Sequence, residues 1–345
     1  MRTEPISLLA LTTTRGSTLV ASSLGQMLHH CYAIVPEKLD FVPTGWISAC
    51  YRLTCGDGTS AFLKLQPLDG FQPLAASAPD FYLPLTRQLA TRGILPHIAY
   101  PLPTVDGALW TAWEGWRVIL YNHVPGRVVG HAGMTDAVVR QLAELLARLH
   151  GATTALLLRA PLAETFELAC EAPLRAALTV LAHQGAEATA GQRALRTLLV
   201  PRRRSTASPV SAHLVRLRLL QAQARAAAHP FVVCHADLHG ENLMLDAAGR
   251  LYILDWEGAI LAPVEQDMIF FAGEPTFDTA FRPAYEALAG PLKLDAALLD
   301  FYWLRRGLDD VADWVLRIMA GDGSTARDEA DLVEIADCLA GLADS

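Results

Sequence analysis

Four polar residues suited to binding a metal ion and handling a proton follow two short apolar runs in the C-terminal third of the sequence. The first run, FVVC, leads into His235 and Asp237, and Asn242 follows five residues further on. The second run, LYIL, leads directly into Asp255. Carboxylate and amide oxygens at the ends of neighbouring buried strands can converge on one hard cation, as Mg²⁺ chemistry requires. The spacing therefore indicates a magnesium site next to a carboxylate available for proton chemistry.

Strands and turns are predicted in the N-terminal part of the chain. The order there is strand, glycine turn, strand, hairpin and strand, with the turn at Gly45 and the hairpin at the segment GDG. Backbone N–H groups from Gly45 to Ala49, with Ser48 among them, could contact nucleotide phosphates under the turn. No G-x-G-x-x-G occurs there, so a plain β-turn is an equal alternative.

Lys64 lies inside one of these predicted strands, SAFLKLQP, and is one of only three lysines in the chain. A buried ammonium needs an anionic partner to offset its desolvation, and a nucleotide phosphate would serve. An exposed position on the solvent face of the strand is the equal alternative. No glutamate lies between Lys64 and Gly93, so the better candidate for an acidic partner is Asp80, and the other possibility is no acidic partner at all.

A break between two parts of the chain is predicted at Pro125-Gly126, directly after the strand RVILYNHV. We place a boundary there. Residues 1–124 form an N-terminal nucleotide-binding lobe, of which 1–21 is expected to be a loose tail, and residues 125–345 form a helical C-terminal lobe. The segment TDAVVRQLAELLARLHG supports this division, because its apolar residues fall on one face of a helix.

The composition indicates a globular protein rather than a membrane protein or a disulfide scaffold. Of the 345 residues 52% are apolar, and no run approaches the roughly eighteen apolar residues that a membrane span needs. The six cysteines form no C-x-x-C pair, which argues against a zinc module. The N-terminal run ISLLAL is short and lacks a small-residue cleavage site, so we expect no signal peptide and a cytoplasmic protein with no membrane partner.

Charge is distributed unevenly along the chain. Residues 1–229 carry 21 basic against 14 acidic residues, and residues 230–345 carry 7 against 22. A basic half suits phosphates and an acidic half suits a cationic substrate, although most of the acids could simply solvate helix surfaces. The run RRR lacks interleaved aromatic residues, so we expect a solvated loop and no nucleic-acid partner.

Three motifs connect these features to a known family. The spacing H-x-D-x-x-x-x-N is the catalytic-loop pattern of protein-kinase-like phosphotransferases, and DWE stands where those enzymes have D-F-G. With LARLHG, HADLHGENLML and YILDWE in this order, the chain resembles the aminoglycoside phosphotransferase family from about Leu24 to about Trp314. The segments PLPTVDGALW, DWEGAILAPVEQDMIF and WLRRGLDDVADW are most similar to spectinomycin phosphotransferases.

This resemblance implies an α+β fold of the protein-kinase-like, two-lobed kind, with a β-rich N-terminal lobe and a mainly helical C-terminal lobe. It implies that Asp237 accepts or orients the proton of the acceptor hydroxyl, with His235 as its support. Asn242 and Asp255 would bind Mg²⁺, and Lys64 would contact the phosphates of ATP or GTP. The adenine base would lie against the hinge residues, which are Tyr121, Asn122, His123 and Val124.

The substrate implied by the resemblance is a small cationic aminocyclitol or aminoglycoside, phosphorylated on a hydroxyl. Acidic residues that could contact it are Glu257, Asp267, Asp309 and Asp310, although Asp267 could instead hold the loop or cap a helix. Alternative functions are a metabolic kinase of the same fold acting on choline, methylthioribose, homoserine or a macrolide, and a non-catalytic nucleotide-binding pseudokinase. The choice between monomer and dimer stays open.

Overall fold

The computed structural model describes residues 11–12, 18–19, 21–43, 48–68, 78–158, 161–183, 188–200, 208–321 and 325–343. Gly45 and most of the predicted tail, 1–21, lie outside these residues. Within the predicted tail, strands β1 (Leu11–Thr12) and β2 (Thr18–Leu19) pair with each other.

The N-terminal part is a five-stranded antiparallel sheet in the order β3-β4-β5-β7-β6. Its strands are β3 (Pro36–Val42), β4 (Ala49–Cys55), β5 (Ser60–Pro67), β6 (Thr111–Trp113) and β7 (Trp116–Asn122). Side chains alternate between the two faces of a strand, so Leu63 and Leu65 are fully buried against helix α1 (Ala21–Tyr32) while Lys64 points to the opposite face. The predicted order of strand, hairpin and strand is confirmed.

Helix α2 (Pro79–Thr91) covers that opposite face and carries Pro84 inside it. Tyr82, one of its fully buried residues, is only 1% exposed. The helix packs against the turn Trp256–Gly258, which comes directly after Asp255. α2 therefore connects the sheet to the part of the chain that carries the DWE motif.

Short strands carry the motif residues in the remainder of the chain: β8 (Arg127–Val128), β9 (Val232–Cys234), β10 (Leu243–Leu245), β11 (Leu251–Ile253) and β12 (Ile260–Ala262). The runs before His235 and Asp255 were predicted to form neighbouring strands, and this prediction is wrong. β9 pairs with β12, whereas β11 pairs with β10, which pairs in turn with β8. The two loops are instead joined by hydrogen bonds, which are described below.

Helices make up most of the C-terminal part. They are α3 (Asp136–Gly151), α4 (Glu171–Ala182), α5 (Ala190–Leu199), α6 (Pro209–Ala226), α7 (Arg282–Ala289), α8 (Ala296–Ala320) and α9 (Thr325–Ala343). α3 and α7 pack around β9 to β11 in one hydrophobic core, and α4, α5, α6, α8 and α9 form a second. The predicted α+β fold, with a sheet first and helices after it, is confirmed. Among the residues described, no helix is long and apolar enough to cross a membrane.

Candidate active site

His235 joins the two motif loops and is fully buried. Its Nδ1 accepts a hydrogen bond from the Asp237 N–H at 3.2 Å, so Nε2 carries the proton and donates to the carbonyl of Leu254 at 2.7 Å. The ring also meets Trp256 edge to face, with 4.7 Å between ring centroids. His235 therefore supports Asp237 and the DWE segment, and its ring nitrogens are both used in doing so.

Asp237 follows His235 and is held at both carboxylate oxygens. Oδ2 accepts a hydrogen bond from Asn242 Nδ2 at 3.0 Å, and Oδ1 lies 2.5 Å from Arg306 Nη1. Burial alone would raise the pKa of Asp237, but the contact with His239 and the charge of Arg306 outweigh it and hold the pKa well below its usual range. The carboxylate is therefore ionised and fixed in direction.

Asn242 and Asp255 come together through the backbone, because the Leu254 N–H donates to the Asn242 carbonyl at 2.9 Å. The Asn242 side-chain Nδ2 donates to the backbone carbonyl of Asp237 at 2.8 Å and to its Oδ2 at 3.0 Å. This leaves its Oδ1 as the amide atom suited to a metal ion. Asp255 has φ 53° in the left-handed region, and its side chain is 43% exposed. An amide oxygen next to a partly exposed carboxylate is a donor set that fits a hard divalent cation.

Lys64 crosses from the sheet to the DWE motif. Its Nζ lies 3.0 Å from Asp255 Oδ1 and also forms an ion pair with Glu257, and its side chain is 12% exposed. Burial lowers the pKa of Lys64, but the two carboxylates outweigh it and raise the pKa well above its usual value. Both predicted alternatives, Asp80 and no acidic partner, are wrong, because Lys64 pairs with Asp255 and Glu257 while Asp80 is exposed on α2.

The assignment of Glu257 must also be corrected, because this residue was predicted to contact the acceptor. Its carboxylate pairs with Lys64, and burial, together with the charge of Glu257, raises the pKa of the buried Tyr82 and of the partly buried Tyr121. Tyr82 belongs to α2, the helix on which many kinases carry the glutamate that pairs with this lysine. The DWE segment here supplies the acidic partners of Lys64, which α2 does not provide.

Asp267 is not available to a substrate, which corrects its assignment as an acceptor contact. Its side chain is fully buried, and it accepts hydrogen bonds from the backbone N–H groups of His235 at 3.0 Å and Ala236 at 2.6 Å. His150 Nε2 lies 3.0 Å from the same carboxylate. Ala236 has φ 69°, a conformation disfavoured for a residue with a side chain, and Asp267 stabilises it. The alternative prediction, that Asp267 holds the loop, describes these contacts.

A potential metal cluster surrounds this aspartate, since ligand atoms of His150, Cys234 and Asp267 all lie within 4.8 Å of one another. The other nitrogen of His150 lies 2.8 Å from the hydroxyl of Tyr285. Hydrogen bonds thus engage both nitrogens of His150 and both oxygens of Asp267. We assign the cluster to support of the catalytic loop.

The two aspartates of α8 that were predicted as acceptor contacts, Asp309 and Asp310, differ in their surroundings. Asp310 Oδ2 accepts from Arg306 Nε at 2.9 Å, so it is linked through Arg306 to Asp237. Asp309 interacts instead with Arg305 and Cys170, and burial raises its pKa to about 6. Of the two predicted acceptor contacts, the structure brings Asp310 close to Asp237.

The predicted hinge continues β7. Tyr121 and Asn122 are its last residues, His123 follows it, and Val124 is 8% exposed. The Asn122 side chain is used structurally, because Oδ1 accepts from the Tyr100 N–H at 2.7 Å. In the predicted phosphate turn, Ser48 is buried directly before β4, while Gly45 lies outside the described residues.

Three residues around Asp237 were not assigned to the site from the sequence: His150, His239 and Arg306. His239 Nε2 lies 3.6 Å from Asp237 Oδ1, and His150 is the histidine of LARLHG. Arg306 had a detectable signal, since it precedes Asp310 by four positions, a spacing that pairs side chains on one helix face. Nothing local connects that pair to Asp237.

Together, a sheet with a buried lysine and a helical part whose loops join Asp237, Asn242 and Asp255 define a kinase-like phosphotransferase. The chain belongs to the phosphotransferase enzyme family, whose model matches residues 38–302. It is therefore a small-molecule phosphotransferase. A sequence search against curated proteins found no match.

Solved structures show the same fold at low sequence identity. Spectinomycin phosphotransferase APH(9)-Ia in complex with ADP and spectinomycin is 17% identical, with a TM-score of 0.69 over 95% of this chain and 99% of that one. Amicoumacin kinase with AMP-PNP and Ca²⁺ is also 17% identical, with a TM-score of 0.61 over 92% of each chain. A microcompartment-associated aminopropanol kinase is 16% identical, with a TM-score of 0.55 over 92% of this chain and 95% of that one. These likenesses establish the fold.

Proposed function

We propose that this protein transfers the γ-phosphoryl group of ATP, with Mg²⁺, to a hydroxyl of an aminocyclitol or aminoglycoside antibiotic, and so confers resistance. A spectinomycin-like acceptor is favoured, and GTP is the alternative nucleotide. The observation that carries the proposal is the arrangement of Asp237 and Asn242 beside Asp255 and Lys64. The full-length likeness to the spectinomycin phosphotransferase, at a TM-score of 0.69, supports this class of acceptor.

On the nucleotide side, the cleft lies between residues 1–124 and residues 125–345. Lys64 neutralises the α- and β-phosphates, and the backbone around Ser48 covers them. The adenine lies against the hinge residues, which are Tyr121, Asn122, His123 and Val124. Asn242 Oδ1 and Asp255 would hold Mg²⁺, which would supply neutralising charge to the phosphates. Asp255 and Glu257 both lie beside Lys64. When a phosphate replaces one of these carboxylates as its partner, the other can still hold the ammonium in place.

On the acceptor side, Asp237 orients the hydroxyl. Asn242 fixes Oδ2, so Oδ1 accepts the hydrogen bond of the hydroxyl and directs its oxygen at the γ-phosphorus. Little basicity is required of Asp237, since phosphoryl transfer depends mainly on positioning and on charge stabilisation. Its lowered pKa keeps it ionised and able to accept that hydrogen bond at neutral pH.

Aromatic and acidic groups near Asp237 suit a small polar ring with an amine. Phe270 lies between His239 and Trp303, with ring centroids 5.8 and 6.4 Å away respectively, and Trp303 is 38% exposed. Asp310 provides a carboxylate on the same helix. Such a surface can stack on a sugar-like ring and attract a protonated amine.

The test is a coupled assay of nucleotide turnover with Mg·ATP and a panel of spectinomycin, aminoglycosides, macrolides and choline. We expect spectinomycin or an aminoglycoside to stimulate turnover strongly, and the phosphorylated product to be detectable by mass spectrometry. Stimulation by choline or a macrolide alone would replace this acceptor class with a metabolic or macrolide kinase. No stimulation across the panel would favour a pseudokinase.

Asp237→Asn provides the matched control, because it keeps the size of the side chain and removes its charge. Turnover should fall by at least about a hundredfold while ADP still binds. Turnover within a few-fold of the wild type would overturn the role of Asp237. Expression of the wild type, but not of Asp237→Asn, should raise the spectinomycin tolerance of a susceptible bacterium.

A further inference from the structure

Arg306 touches the carboxylate proposed to orient the acceptor. Its Nη1 lies 2.5 Å from Asp237 Oδ1, and its Nε donates to Asp310 Oδ2 at 2.9 Å. The guanidinium carbon is 5.9 Å from the centre of the Phe270 ring. Contacts with the catalytic loop, with its own helix and with an aromatic ring therefore fix the guanidinium beside Asp237.

The distance between Arg306 and a transferred phosphoryl group can be estimated from their common neighbour, Asp237. Asn242 holds Oδ2, so the acceptor hydroxyl and Arg306 both bond to Oδ1, and two partners of one oxygen are about 4 Å apart at ordinary hydrogen-bond lengths. The phosphorus under attack lies roughly 3 Å from the hydroxyl oxygen in a near-attack arrangement. An N–H of Arg306 can therefore reach an oxygen of the phosphoryl group.

The negative charge of the transferred phosphoryl group also favours a cation on the acceptor side of the site. Phosphoryl transfer spreads negative charge over three equatorial oxygens, and Lys64 lies on the nucleotide side, where it faces Asp255 and Glu257. On the acceptor side, within the part of the chain that the structure describes, Arg306 is the permanent cation in contact with Asp237. A guanidinium has five N–H groups, and its bonds to Asp237 and Asp310 leave others to donate.

We propose that Arg306 is a catalytic residue that donates a hydrogen bond to the phosphoryl group in transit while it keeps its contact with Asp237. The inference rests on the proposed function. The bond from the γ-phosphorus to the bridging oxygen of the nucleotide breaks as the bond from the acceptor oxygen forms. The hydroxyl proton passes to Asp237 or to solvent, and Arg306 keeps all its protons.

Arg305 offers a control on the same helix, one position away. It forms a two-pronged ion pair with Glu164 at 2.9 and 2.7 Å and lies over the rings of Phe301 and Tyr302. Its side chain is 16% exposed, against 31% for Arg306. Arg305 is thus a structural arginine, and a lysine in its place changes packing without removing a charge.

The experiment measures steady-state hydrolysis of Mg·ATP with water as the acceptor, together with ADP affinity and melting temperature. The variants are Arg306→Gln, Arg306→Lys, Arg305→Lys and Asp237→Asn. We expect Arg306→Gln to lower kcat by at least about a hundredfold, the scale of one lost transition-state donor. The KM for ATP and the affinity for ADP should stay within about threefold. Arg306→Lys should recover part of kcat, and Arg305→Lys should lower the melting temperature with kcat within about threefold.

The outcomes separate this inference from the proposed function. If wild-type hydrolysis is absent, or equals that of Asp237→Asn, the inference about Arg306 is overturned, and the proposed function is overturned as well if no acceptor in the panel stimulates turnover. If the wild type is active and Asp237→Asn is not, an Arg306→Gln variant with unchanged or raised kcat overturns the catalytic role of Arg306 alone. The catalytic role of Arg306 is also overturned if Arg306→Gln changes only KM, or if Arg305→Lys lowers kcat by as much as Arg306→Gln does.

Discussion

Asp309 is a carboxyl whose surroundings favour the protonated form, because burial raises its pKa to about 6. In the unfolded chain its pKa is about 3.9, so between these values the folded state binds more protons. The unfolding free energy must then fall as pH rises through this window and level off above it. Asparagine resembles the neutral carboxyl and escapes this cost. Asp309→Asn should therefore gain stability relative to the wild type as pH rises from about 4 to 7, by at most about 3 kcal/mol.

Urea unfolding of both proteins at a series of pH values checks this prediction. The control is Asp300→Asn, since Asp300 is a 54% exposed carboxylate on the same helix, paired with Arg216 at 3.2 Å. Its stability difference from the wild type should not grow with pH. A difference for Asp309→Asn that is flat from pH 4 to 7, or that shrinks, would show that Arg305 keeps this carboxylate ionised.

Asp237 and Asn242, the residues proposed to do the chemistry, could be singled out from the sequence, whereas the residues that hold them could not. Asp237 and Asn242 lie within one loop, so their spacing alone indicates the pattern. The supports are distant in sequence: Asp267 is 32 residues from His235, and Arg306 is 69 residues from Asp237. Only the packing of α8 and of the segment after β12 brings them together, and no local spacing encodes that packing.

At the scale of elements, the acidic partner of Lys64 comes from the DWE turn, whereas many kinases place it on the helix that follows the lysine strand. α2 places Tyr82 rather than a glutamate in the core facing Lys64, while Glu257 pairs with the lysine from the turn. Chain order suggested an acid on α2, which follows the strand that carries Lys64. The acid comes instead from a segment about 190 residues later, against which α2 packs.

Glu257→Gln should raise the KM for ATP by about tenfold or more, because Lys64 loses a charged partner that aligns it; a hydrogen bond to a charged group contributes about 1.5 to 3 kcal/mol. Asp80→Asn, at the acid first expected to pair with Lys64, should leave KM unchanged. Initial rates at a range of ATP concentrations give both values. Equal effects in the two variants, or none in Glu257→Gln, would mean that Asp255 alone positions Lys64.

The strands and helices themselves could largely be predicted, because their signals are local. Alternation in SAFLKLQP and the GDG turn specify β4 to β5, and a single apolar face specifies α3. The pairing of β9 with β12 and of β11 with β10 could not be predicted. A run of three residues is too short for its sequence pattern to specify a partner strand or a register. The loops still converge, because His235 and Asn242 each make a hydrogen bond to Leu254.

For the whole molecule, the sheet and the helical part are connected at the place where a nucleotide would bind. Lys64 pairs with Asp255, α2 packs on Trp256–Gly258, and Ile98 forms a β-bridge with Ile253. A ligand held by both parts stabilises both at once. We therefore expect one cooperative unfolding transition that shifts as a whole when nucleotide binds.

ADP with Mg²⁺ at a free concentration of 100 times its Kd should raise the unfolding free energy by about 2.7 kcal/mol. Asp255→Ala removes a proposed metal ligand together with the partner of Lys64, so at the same ADP concentration this gain should fall, and adding Mg²⁺ should no longer increase it. Asp278→Ala, at a 78% exposed carboxylate, should keep the full gain. Calorimetry with ADP alone and with ADP plus Mg²⁺ supplies the measurement. If only one of two separate transitions responded, the nucleotide would contact a single part of the molecule, and the cleft between sheet and helices would not be its site.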